Sequence, residues 1–251
     1  MNEEIKIIGI PNFPLIKNGD DLASIIKNKI LEEKISLDQD DIIVITQRIC
    51  SIAEDRIKNL NSYIPNTFAK NWAEKYNKDS RLIEAVIQES KKVIRKKNGI
   101  LITETKHGFI CANSGIDNSN VAGIDNICLL PLDPDSSCRI IKEKIKNEMN
   151  KDIAVIMTDT FGRPWRMGQT NIAIGISGIN PIQDYVGKKD IFNRTMNFTM
   201  ICIADEIASA AELMMGKTKK MPVAIIKGYK YEKNLDTISR IVRDEKNDLF
   251  R

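Results

Sequence analysis

Apolar residues along this chain come in short runs, and the runs separate two kinds of element. Ile5–Ile10, Asp41–Thr46, Asn126–Leu130, Asp152–Met157 and Val223–Lys227 are brief and nearly free of polar alternation. That pattern predicts strands buried on both faces, the first stopped by Pro11 and Pro14. Elsewhere the spacing changes to three and four. Leu22, Ile25, Ile26 and Ile30 predict an amphipathic helix from Leu22 to about Lys34, capped by Asp20 and Asp21. Residues 66–95 predict one or two helices broken near Asn77–Ser80, and Asp133–Ser136 opens another that ends near Asn150. A long helix is expected from Phe198 to Met215, and a short one with a frayed end within 230–251. Ile100–Thr103 and Gly108–Ala112 read as paired strands. The Gly-punctuated apolar stretch Thr170–Ile179 is expected in the core or in a dimer contact. These elements do not alternate as βαβ units, so the expected class is α+β, mixed sheets with flanking helices in one domain over 1–251.

Composition narrows the classes. With 251 residues, 42% hydrophobic and 29% charged, the chain is neither collagen-like nor disordered. No apolar run approaches the roughly 18–20 residues of a membrane span. The start, Met-Asn-Glu-Glu, lacks a signal-peptide pattern, so a cytoplasmic protein with no membrane partner is expected. A formal charge of +4 is small, and the one dense basic run, Lys91, Lys92, Arg95, Lys96 and Lys97, encloses Val93 and Ile94. It is expected to close a helix with a solvated face, not to bind nucleic acid. Five dispersed cysteines without a Cys-x-x-Cys argue for reduced, buried thiols.

Two polar segments follow apolar strands. In Cys111–Asn120, small residues let the backbone approach a ligand, and Asp117 and Asn120 offer hard oxygens suited to magnesium or manganese, although a plain Asx-rich turn is the more ordinary reading of this segment alone. Asp159-Thr160 follows the next strand, and Arg163 and Arg166 follow within one expected loop. That arrangement suits metal-bridged phosphate with forked cationic recognition, or simply a cap and two surface arginines. Neither a P-loop nor a Gly-x-Gly-x-x-Gly cradle is present. The single histidine, His107, reads as a strand turn more than a base.

Taken together, His107–Asn120, Leu130–Ser137, Thr158–Arg166 with Gly168-Gln-Thr170 and Ala173-Ile-Gly175, Ala204-Asp205-Glu206, Ala210–Leu213, and Met215-Gly216 leading to Pro222-Val-Ala resemble one family over nearly the whole chain. It is that of the coenzyme F420:L-glutamate ligases, which elongate the tail of a deazaflavin coenzyme. The resemblance implies a family-specific α+β fold of two interleaved lobes in an intertwined homodimer. It implies a GTP-dependent ligase that phosphorylates a terminal carboxylate and lets the amine of L-glutamate displace phosphate. One divalent metal or two, magnesium or manganese, are implied, with potassium a further candidate.

Carried over, Asp117 and Asp159 match metal-binding aspartates with Thr160 beside them, and Asn120 matches a nucleotide contact. Phe13-Pro14-Leu15-Ile16, Gln47-Arg48 and the stretch from Gly216 through Lys217 and Lys219 match segments near GTP. Arg163 and Arg166 are assigned with Asp117 and Asp159 to catalysis, on phosphate or substrate carboxylates. Ile52 departs from a lysine usual in relatives, and Lys217–Lys220 departs from their loop pattern. A lysine of that loop is the expected replacement for the lost charge. The alternatives are a related amino-acid ligase for another carboxylate and an inactive nucleotide- and metal-binding paralogue.

Overall fold

Five strands make the central sheet, and its order sets everything that follows. The computed structural model describes residues 4–119 and 121–250. Among those residues are twelve strands and six α-helices, beginning with β1 (Lys6–Gly9), α1 (Leu22–Glu32), β2 (Ile42–Thr46), α2 (Gln47–Ala53), β3 (Ile57–Asn59), α3 (Thr67–Tyr76), α4 (Ser80–Gln88), β4 (Ser90–Lys97), β5 (Ile100–Thr105) and β6 (Ile110–Ala112). Then come β7 (Asn126–Cys128), α5 (Pro134–Met149), β8 (Ala154–Arg163), β9 (Arg166–Ser177), β10 (Ile182–Asp184), β11 (Met200–Cys202), α6 (Ile203–Met215) and β12 (Val223–Lys227). The central sheet is β1-β12-β2-β8-β9; β4-β5-β6, β3-β7 and β10-β11 form smaller sheets. The fold is therefore mixed α+β, with β2 and β8 parallel and the other paired strands antiparallel.

The expected central strands form for the expected reason. Ile42, Ile43, Val44 and Ile45 are fully buried, as are Val155 and Ile156 beside them. β1 sits at the sheet edge and is only half-buried, with Lys6 exposed. Asp21 caps α1 by accepting from the Ser24 amide at 3.0 Å, and Asp133 caps α5 through the Ser136 amide at 2.9 Å. α5 lies over β8 and β9, close enough that a Cβ on Gly175 would stand 2.6–2.7 Å from Pro134. The stretch Thr170–Ile179 thus packs in the core, as one expectation had it.

Four boundaries differ from the sequence reading. The basic run is strand β4, not a helix end: α4 stops at Gln88, and two ladder irregularities absorb Lys91 and Ile94. β-branched Val93 and Ile94 suit a pleated surface better than a helix. β8 does not stop at Met157 but continues through Asp159 and Thr160 to Arg163, so the expected loop is a strand and a tight hairpin. The helix expected from Phe198 begins at Ile203, because Met200–Cys202 pairs with Ile182–Asp184. Within 230–250 there are two single 3-10 turns, Ile238–Ile241 and Glu245–Asn247, in place of an α-helix. That segment is held by Asp135, whose carboxylate accepts from the amides of Ile176 (2.7 Å) and Ile238 (3.0 Å).

Candidate active site

One end of the central sheet collects segments distant in sequence. The Ile10 amide donates to Val223 O at 2.9 Å, and the Thr46 amide donates to Pro222 O at 2.9 Å. Thr46 lies opposite Thr158 in the parallel pair. Residues 13–16 after β1, Gln47-Arg48 after β2, Asp159 after the β2-paired part of β8, and the 216–222 loop before β12 therefore share that end. Crevices beyond the carboxyl ends of parallel strands are common ligand sites, because the backbone there diverges. Beyond Thr158, β8 pairs with β9 alone, and the two strands leave the sheet as a ribbon.

Asp117 reaches the same place from the smaller sheets. It is pinned by reciprocal backbone bonds with Cys128, at 3.0 and 2.7 Å, and Cys128 in turn pairs with Ile57 of β3. α2 is tied to this strand through the Ser51 hydroxyl, 2.7 Å from both Leu129 O and Gln47 Oε1. Arg48, one residue into α2, forms an ion pair with Asp117 Oδ2 and also donates to Ser119 O. Asp117 Oδ1 accepts from the Ser119 amide at 2.7 Å, an Asx turn that fixes the carboxylate's direction.

Asp159 faces this pair from β8. Burial pushes its carboxyl up to about 6, and the nearby Asp117 charge adds to the rise; the Thr160 amide, Lys217 and Arg48 oppose it. Thr160 donates its hydroxyl to Asn171 Oδ1 at 2.7 Å and accepts from Lys217 Nζ. Asn171 is buried on β9 opposite Thr160. Sequence reasoning passed over it, although an asparagine inside the apolar stretch after Thr170 was a visible signal.

Some expected residues stand elsewhere. Arg163 and Arg166 face each other at the ribbon's tip, four residues beyond Asp159 for Arg163, or roughly 13 Å along a strand. Lys219 donates to the carbonyls of Leu213 and Met214, at 3.3 and 3.4 Å, and so caps α6. Phe13 is a core residue, Pro14 and Leu15 are exposed, Leu15 by 87%, and Ile16 is half-buried. Gln47 is buried against Ser51. Gly216 ends α6 with φ +56°, which turns the chain toward Lys217. Asn120 lies outside the described residues. His107 Nε2 lies 2.8 Å from Pro131 O, so that nitrogen carries a proton and the ring serves the turn. Further along the same strand face as Asp159, Phe161 lines a cavity of about 190 Å³ with Phe109, Ile172, Ala173, Asp205 and Val242.

The donor chemistry fits a hard divalent cation. Asp117 and Asp159 supply carboxylate oxygens, and Thr160 adds a hydroxyl. Among the described residues no group of three or more His, Cys, Asp or Glu side chains makes a complete cage. Magnesium accepts such a set readily, because it keeps waters and takes its remaining oxygens from substrate phosphates. Among the same residues, no helix is long and apolar enough to cross a membrane.

Comparison with known proteins places the sequence in a family. A family model described as F420-0:Gamma-glutamyl ligase matches residues 11–228. The chain is 38% identical to the coenzyme F420:L-glutamate ligase of Methanothermobacter thermautotrophicus, over 98% of this chain and 99% of that one. It is 36% identical to that of Methanocaldococcus jannaschii (99% and 97%) and 38% identical to that of Methanosarcina mazei (99% and 96%). Full-length similarity at this level, carried by a model match over most of the sequence, means that the chain belongs to the F420-0:gamma-glutamyl ligase family.

Proposed function

We propose that this protein is a GTP- and divalent-metal-dependent ligase that joins L-glutamate to the terminal carboxylate of a deazaflavin coenzyme precursor. The observation that carries the reading is the meeting of Asp117 and Asp159 with Arg48 and Lys217 at one end of the sheet. The names of its relatives supply the substrates.

The chemistry needs two displacements. A substrate carboxylate oxygen attacks the γ-phosphorus of GTP, GDP leaves, and an acyl phosphate forms. The glutamate amine, having lost a proton, then attacks the acyl carbon; the C–N bond forms, the C–O bond breaks with its oxygen and electron pair leaving on inorganic phosphate, and the nitrogen gives up a second proton, which the phosphate can take. A cation held by Asp117, Asp159 and Thr160, magnesium or manganese, would neutralise phosphate charge during the first displacement. Arg48 offers a planar fork to phosphate oxygens and Lys217 a mobile point charge. The cavity beside Phe161 gives an acceptor with a ring an apolar surface to rest on. A second copy of the chain would complete the assembly, and the exposed apolar residues Trp165, Met167, Ile191 and Phe198 support that.

The test is mass spectrometry of products from purified protein, glutamate-free coenzyme, GTP, magnesium and glutamate. A mass gain of one or more glutamyl units, absent without GTP, is expected. GTP turnover that ignores the deazaflavin acceptor but responds to another carboxylate would overturn the substrate assignment. Nucleotide binding without turnover would overturn the ligase itself.

A further inference from the structure

The oxygens at the end of the sheet are already engaged by the protein's own cations, Arg48 on the Asp117 carboxylate and Lys217 on the Thr160 hydroxyl beside Asp159. Both oxygens of Asp117 accept hydrogen bonds, Oδ2 from Arg48 and Oδ1 from the Ser119 amide. Asp159 Oδ1 accepts from the Thr160 amide at 2.7 Å, and the Thr160 hydroxyl accepts from Lys217. A bare divalent cation approaching these oxygens would meet a guanidinium and an ammonium at the positions it needs. Two like charges brought that close repel, and the repulsion is strongest where water is excluded.

Both protein cations are able to leave. Lys217 stands on the 216–222 loop with its side chain 62% exposed, and its other acidic neighbour, Glu212, is 3.8 Å away. Arg48 is half-buried, but its fork is split between one carboxylate oxygen and one carbonyl, whereas a phosphate can take both arms at once. A nucleoside triphosphate brings more negative charge than either aspartate. It draws the two side chains to its phosphate oxygens and uncovers the carboxylates in the same movement.

We infer that Arg48 and Lys217 are internal counter-cations that close the Asp117–Asp159 pair to a free divalent cation and release it only when a polyphosphate arrives. Metal and nucleotide then bind as one unit. The coupling is reciprocal, so metal raises nucleotide affinity by the factor that nucleotide raises metal affinity. This rests on the reading of Asp117 and Asp159 as the metal-holding pair, and the experiment separates the two.

Free manganese is measured by electron paramagnetic resonance during titration of the full chain, with and without a non-hydrolysable GTP analogue. Wild type is expected to bind manganese weakly alone and far more tightly with the analogue. Lys217→Met keeps the aliphatic stem and should tighten manganese binding roughly tenfold without nucleotide, while weakening the analogue by a similar factor. Lys217→Arg restores the charge and should behave as wild type. Because the side chain is exposed, neither change disturbs packing, and a thermal melt checks this. Manganese affinity of Lys217→Met that is unchanged or lower without nucleotide overturns the counter-cation inference, provided Asp159→Asn loses manganese with the analogue present. If Asp159→Asn keeps it, the metal-holding assignment itself is overturned, and the inference goes with it.

Discussion

Asp159 is where function and stability pull in opposite directions. Its carboxyl titrates near 6 in the fold, against about 4 in an unfolded chain. Above pH 6 the folded state therefore holds a charge it disfavours, and stability is lost as pH rises through that value. Below the unfolded value both states are protonated and the penalty is gone. Asp159→Asn should consequently melt higher than wild type at pH 8 without metal, by on the order of 1–3 kcal/mol. The gap should narrow as pH falls from 7 toward 4, in a series of thermal melts. Turnover should drop about 100-fold or more in the same variant, because a neutral amide is a poor partner for a hard cation. A wild-type rate at saturating metal would remove Asp159 from the site. Lys219 gives the contrast: its ammonium serves the carbonyls at the end of α6, so alanine there should lower the melt slightly and leave GTP affinity alone.

At the scale of elements, Gly175 and Asp135 hold α5 and the segment after β12 in place. A methyl on Gly175 would meet the backbone of Pro134 at 2.7 Å, and backbone cannot move aside cheaply. Gly175→Ala should cost about 1–3 kcal/mol in a denaturant melt, the usual penalty of overpacking. Asp135→Ala leaves two buried amides without an acceptor, at about 1–3 kcal/mol each, and should expose 230–250 to limited proteolysis before the rest of the chain. These elements also show what was legible in the chain. β2 and β12 were plain because both faces are buried, so apolarity alone marked them. β4 was hidden because lysines beside a helical pattern read as its last turn, and only the pairing with β5 decides otherwise. The ribbon half of β8 was hidden because Asp159 and Thr160 break the apolar run that signals a strand. At the site, Asp117, Asp159 and Thr160 were marked by the family resemblance. The bond from Arg48 to Asp117 spans 69 positions, and no local pattern encodes it.

For the whole molecule, the ribbon is the feature that asks for a partner. It carries Trp165 at 83% and Met167 at 98% exposure, and the segment between β10 and β11 also exposes Ile191 and Phe192. Large apolar side chains left in water at this density usually mark an interface. Sedimentation should give about twice the 28.4 kDa of one chain at micromolar concentration. Met167→Lys should shift that equilibrium toward the single chain without lowering its melt. A monodisperse species near 28.4 kDa in the wild type would count against the homodimer.

The position of β12, between β1 and β2, reaches into how the protein is made. The chain leaves the ribosome from its amino end, so β2 emerges some 180 residues before the strand that pairs with it, Val223–Lys227. Through that interval the edge of Ile42–Ile45 has hydrogen-bonding groups without their final partner. Exposed edges of this kind recruit other strands, including those of neighbouring nascent chains. Arrest of translation anywhere before residue 223 should therefore leave a product that aggregates, and shielding of the exposed edge during synthesis should matter more here than for a fold closed by adjacent strands. The same strand brings the 216–222 loop to Thr46, next to Arg48, so this end of the sheet is completed only when β12 has docked.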